Sequence, residues 1–212
     1  MVETKNFVVN LGRQLGSGGH EIGKKLAERL HIAFYDKELI LLASNESGLC
    51  KEMFEKADER ASSFPFGGLV GGLRFFSLGA GTLMSDNCLD NDALFKVQSD
   101  VIRKVAAENS ALFVGRCADY ILRDHPRCVN LFISASPEAR IKRLSEERQI
   151  TADQARDLIE KADSCRSNYY NFYTFKKWGD AASYHFCIDS SAFGIDATVD
   201  LVEELVCKKI GI

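Results

Sequence analysis

NFVVNLGRQLGSGGHEIGKKLAERLHIAFYD, residues Asn6 to Asp36, is the stretch that decides the fold. Asn6 to Gly12 is a short apolar run suited to a buried strand. A glycine-rich turn follows, then Ile22, Leu26, Ala27 and Leu30 recur as one apolar helical stripe. Ile32 to Asp36 reads as a second strand. A strand, a glycine loop and a helix make an anion site: glycines let backbone come close, and unpaired N–H groups at the helix start face the ligand. The candidate phosphate binders are Gly16, Ser17, Gly18 and Gly19, with His20 and Glu21 behind them. An ordinary tight strand-to-helix turn is the competing reading.

A literal G-x-x-x-x-G-K pattern occurs at Gly18, Gly23 and Lys24, with Lys25 where Ser or Thr belongs. The apolar stripe rejects that register. It is already in phase at Ile22, so the helix begins near Gly19 or His20. In that register Gly19 stands where the phosphate-binding lysine belongs, and Glu21 follows within the first helical turn. The dinucleotide pattern G-x-G-x-x-G fails at Glu21.

Outward from this stretch, strands and helices alternate. Lys37 to Ala43 starts a helical stretch, and 44–92 has no periodic core. A helix begins at Asp92, and Ala111 to Arg116 is a strand. A short helix follows at Ala118 to Leu122, then a strand at Cys128 to Ser134. Ser136 and Pro137 open a helix running to Arg148. Thr151 caps another; Tyr184 to Ser190 is the last strand and Ala197 to Lys209 the closing helix. This alternation predicts a three-layer α/β/α sandwich on a five-stranded parallel sheet. Ligands in such folds sit at the carboxyl ends of strands. GRQLGSGG, VGRCAD and SASPEARIKR all fall there.

The 212 residues are 46% hydrophobic and 27% charged, with net charge −3, which suits one globular domain and excludes a disordered chain or a strongly basic nucleic-acid binder. The seven cysteines are scattered without a C-x-x-C pair, as expected of free thiols in a reducing cytosol. MVETKNFVVNLGRQ has no basic leader or apolar h-region. Phe64 to Met84 is broken by glycines and Arg74, which argues against a membrane span. The expectation is a cytoplasmic protein without membrane or nucleic-acid partners, monomer or homodimer.

Four segments, GRQLGSGGHEIGKKLAERLHIAFYDKELI, LFVGRCADYIL, LFISASPEARIKRL and DSCRSNYYNFYTFKKWGDAASYHFCIDSSAFG, together resemble the cytidylate kinase-like family, a branch of the P-loop nucleoside monophosphate kinases. The resemblance implies a P-loop kinase fold using ATP and Mg²⁺ on a nucleoside monophosphate, CMP or dCMP. It implies an acceptor-side flap over 45–91 and a lid over 149–183 within one domain, 1–212. Gly115-Arg116 matches a monophosphate-holding G-R-D signature, with Cys117 replacing the aspartate. Arg140 and Arg143 match nucleotide-facing arginines. Asp163 and Arg166 match a lid D-x-x-R element, and Asp36 the start of the acceptor-closing segment.

The residue types make sense apart from the resemblance. Phosphoryl transfer needs positioning and charge stabilisation, and the guanidinium fork binds phosphate oxygens bidentately. Arg13, Arg140, Arg143 and Arg166 are the candidate catalytic cations, with Asp36, Arg116 and Asp163 on the acceptor. Arg13 is expected to supply the cation that the loop lacks, and Ser17 or Glu21 to meet Mg²⁺. Bland alternatives stand beside these. Arg140 and Arg143 sit among Glu138, Glu146 and Glu147 as a salt-bridged face would. Asp163 and Arg166 could be a surface pair, and the aromatics from Tyr169 to Trp178 could pack the lid or stack a base. The missing lysine also leaves open an inactive nucleotide sensor, a kinase for another small acceptor, or an interaction protein whose loop is an empty turn.

Overall fold

The computed structural model describes residues 6–37, 39–40 and 88–212, with only the backbone given for 88–91 and 93. Its elements are β1 (Val8–Arg13), α1 (Gly19–Arg29), β2 (Ala33–Tyr35), α2 (Cys88–Glu108), β3 (Ala111–Val114), α3 (Ala118–Ile121), β4 (Cys128–Ser134), α4 (Pro137–Arg148), α5 (Ala152–Thr174), a single 3₁₀ turn (Ala181–Ser183), β5 (Phe186–Asp189) and α6 (Ile195–Ile210).

The strands form one sheet in the order β2-β3-β1-β4-β5, all neighbours parallel. Val9, Leu11, Leu131 and Ile133 alternate onto one face, where Ile22 and Leu26 of α1 and Val199, Val202 and Val206 of α6 bury them. Val8, Ala111 and Phe113 point to the other face, against Val101, Ile102, Ile121 and Tyr170. This is the expected three-layer sandwich. With β1 central, its carboxyl end meets those of β3 and β4, and the three chemically loaded turns converge.

Local signals account for the helix starts. The α1 stripe holds the first turn at Gly19, and Ser136 caps α4 by accepting from the Ala139 N–H at 3.2 Å. At α5, Thr151 and Gln154 form a reciprocal capping box. Several boundaries differ from the sequence reading. β1 runs to Arg13, because Arg13 pairs with Ile133 of β4. β3 stops at Val114, because Gly115, Arg116 and Cys117 all adopt positive φ (78°, 58° and 56°). α2 begins at Cys88 rather than Asp92. Lys37, Leu39 and Ile40 are helical as expected, while 41–43 lie outside the described residues. So does the expected flap up to residue 87; its last residues, 88–91, belong to α2. Five cysteines among the described residues are free thiols. No helix among the described residues is long and apolar enough to cross a membrane.

Candidate active site

The loop from Gln14 to Gly18 leaves β1 and delivers its amides to the start of α1. Gly16 and Gly18 have φ of 77° and 72°, a conformation glycine adopts without penalty. Ser17 is fully buried and holds the turn together. Its hydroxyl donates to the Gln14 carbonyl at 2.9 Å and accepts from the Gly19 N–H at 3.3 Å. The backbone N–H groups of Gly16, Gly18, His20 and Glu21 have no acceptor among the described residues. These are the donors that a phosphate at a helix start would take.

The outward groups of the loop are held from two distant helices. Arg140 of α4 donates from Nε to the Leu15 carbonyl at 2.8 Å and pairs with Asp163 of α5. Asp163 also accepts from the Leu15 N–H at 2.9 Å. Arg143 donates to the Gly16 carbonyl at 3.0 Å, and Arg166 to the Arg13 carbonyl at 3.1 Å. Arg140 is therefore neither on a solvated face nor aimed into open space. At 7% exposure it is buried, with its fork shared between a carboxylate and the loop backbone. Asp163 faces the loop rather than solvent. Among the described residues, the glutamates of α4 form no ion pair with Arg140 or Arg143.

Three guanidiniums crowd the loop's end of the sheet. The guanidinium of Arg13 has no hydrogen-bond or ion-pair partner among the described residues. Burial first, then Arg166 and Arg116, pull it far below the ordinary arginine range, to about 9; Asp36 and Asp163 offset this only in part. Arg166 is lowered too, by burial and by Arg140 and Arg116, against the opposing pull of Asp163 at 3.6 Å. Arg116 sits in its left-handed turn with its guanidinium 5.5 Å from the centre of the Tyr169 ring. Like charges are thus crowded at one end of the sheet, a costly arrangement unless an anion is shared among them.

A cavity of about 290 Å³ lies between the loop and Arg143, Glu147 and Arg166, with Arg13, His20 and Glu21 on its wall. His20 Nε2 is 3.2 Å from Asp36 Oδ2, which ties the start of α1 to the end of β2. Glu21 is half exposed and paired with Lys25 at 2.9 Å. Mg²⁺ keeps several waters and takes one or two carboxylates beside phosphate oxygens. Glu21 and Glu147 at the cavity suit that pattern; the Ser17 hydroxyl is committed inside the loop. No group of three potential metal-ligating side chains exists among the described residues.

Sequence reasoning missed Glu147, Gln14 and Ser190. Gln14 accepts from the Ala135 N–H at 3.2 Å, and Ser190 donates to the Ser17 and Ser134 carbonyls at 2.6 and 3.1 Å. These contacts join loop, β4 and β5, and no local pattern announces them. The aromatic cluster packs. Tyr169, Tyr170, Tyr173 and Trp178 lie on the α2–α3 core, and Phe95 stacks on Tyr173 at 4.0 Å. Phe172 and Phe175 stay exposed.

The model of the cytidylate kinase-like family matches residues 8–192. The chain belongs to that family. No curated protein matches its sequence. Among solved structures, an uncharacterized protein from Eubacterium ventriosum shares 29% identity with this cytidylate kinase-like chain, with a TM-score of 0.69, over 95% of this chain and 98% of that one. Shikimate kinase from Bacteroides thetaiotaomicron shares 13% identity at a TM-score of 0.51, covering 94% and 98%, a likeness of fold alone. Membership of that family makes this a kinase-like protein, and its fold is of the P-loop kinase type.

Proposed function

We propose that this chain is a nucleoside monophosphate kinase that moves the γ-phosphoryl of ATP onto CMP or dCMP. One observation carries the reading: three mutually repelling guanidiniums, Arg13, Arg116 and Arg166, stand beside a loop whose amides lack acceptors. Two polyanions brought together need such converging cations. The free amides of Gly16, Gly18, His20 and Glu21 would hold the donor phosphates. Arg116, after β3, would hold the acceptor phosphate, and Arg166 and Arg143 would meet the charge spread in transfer. Asp163 and Arg140 set the loop's shape, and Asp36 orients His20. Mg²⁺ held by Glu21 and Glu147 would neutralise donor-phosphate charge. The lid over 149–183 and the acceptor flap over 45–91 belong to this proposal, as does a cytoplasmic site of action.

The test is thermal unfolding with ATP, ADP and a panel of nucleoside monophosphates, with and without Mg²⁺, followed by coupled ADP-formation assays. Stabilisation by nucleotide and turnover fastest with CMP or dCMP are expected. Stabilisation without turnover on any acceptor would instead favour a nucleotide sensor, the second reading, which the glycine at position 19 favours. No stabilisation by any nucleotide would defeat both.

A further inference from the structure

We propose that Arg13 and Gly19 are an exchanged pair: the cation that a G-x-x-x-x-G-K loop takes from the helix start enters here from the strand end, and Arg13 itself keeps position 19 bare. This rests on the kinase reading and adds a steric rule to it. A Cβ placed on Gly19 would lie 2.5 Å from Arg13 Cβ and 3.1 Å from its Cγ, with Ile133 Cβ at 3.3 Å. The first two contacts are with the stem of Arg13 close to the backbone, which cannot swing aside. So no residue but glycine fits at 19 while any side chain stands at 13.

The head of Arg13 shows where its charge is delivered. Its Nη1 lies 2.5 Å from where a Cβ on Gly115 would be, so the guanidinium spans from the loop to the turn after β3. Gly115 is itself in the left-handed region, at φ 78°. Two glycines, one on each side, leave room for one arginine across the seam between the donor loop and Arg116. Replacing Arg13 by Gly and Gly19 by Lys would turn positions 13–19 into G-Q-L-G-S-G-K, the glycine and lysine positions of the phosphate-loop pattern, with His20 where Ser or Thr belongs. The two replacements are each harmful and together compensating.

The cycle is read first without catalysis. Gly19→Ala should lower the unfolding midpoint of the ligand-free protein, while the same change on an Arg13→Gly background should cost at least twofold less. Equal costs on the two backgrounds would overturn the steric rule. ATP and ADP affinities by calorimetry then test the exchange. Arg13→Gly alone should raise Kd about tenfold, one charge-assisted contact's worth. Gly19→Lys alone should do no better than that, and the double variant should recover most of the loss. Arg13→Lys, which leaves position 19 undisturbed and keeps the charge but loses the fork, should fall between wild type and Arg13→Gly. Gly19→Lys binding as tightly as wild type would overturn the exchange. So would a double variant that unfolds normally yet binds no better than Arg13→Gly. Wild type that binds no nucleotide defeats the kinase reading instead, and the stability cycle still decides the steric rule.

Discussion

Two arginines at opposite ends of α1 show how this chain separates structure from function. Arg29, in the last turn, faces α6 and is saturated: Nη1 meets Asp200 at 2.5 Å and Glu203 at 3.0 Å. Those carboxylates hold it above the ordinary arginine range. Lys25 pairs likewise with Asp196 at 2.7 Å along the same seam. The guanidinium of Arg13, below the first turn of α1, has no partner among the described residues and is held down by burial and by Arg166 and Arg116. The α1–α6 seam balances its charges internally, whereas the loop edge leaves them unbalanced. An imbalance that the fold does not relieve points to a ligand that does.

The sharpest way to break this contrast is Arg13→Met, which keeps the stem and removes the charge. Turnover on the best nucleoside monophosphate should fall about 10³-fold; steady-state kinetics settle it, and a loss under tenfold would place Arg13 with Arg29. Asp163→Ala should have the next largest effect, on stability. It leaves the buried Arg140 charge unpaired, which costs about 3–5 kcal/mol and lowers the unfolding midpoint on the order of 10 °C. Arg13→Met should then move the ligand-free midpoint the opposite way, up by about 2–4 °C, because like-charge crowding is relieved. Calorimetric scans without nucleotide read both shifts. The smallest effect is expected from Arg29→Ala: a midpoint change within about 2 °C, shrinking further in high salt, with nucleotide affinity unchanged.

Much of this was legible before any coordinates. The phase of Ile22, Leu26 and Ala27 set the start of α1, and all three are buried as an in-phase stripe requires. The strand-helix alternation was enough for the sheet. What stayed hidden was non-local. Arg140 had glutamates close by in sequence, yet its partner is Asp163 on the next helix. Ser17 suggested a metal-binding hydroxyl, but a buried turn needs that hydroxyl for its own carbonyl. Glu147 looked like one more charge on α4, and only the approach of α4 to the loop brings it to the cavity. Periodicity reports which face a residue takes and not which distant group it meets there.

The grip of α4 and α5 on the loop has a consequence for how the protein is made. Leu15 and Arg13 leave the ribosome well before the groups that hold them, which lie 125 to 153 positions downstream. Such contacts close large loops and form slowly. The nascent chain therefore carries its phosphate-binding motif long before that motif has a shape, and nucleotide capture can begin only when synthesis has passed Arg166.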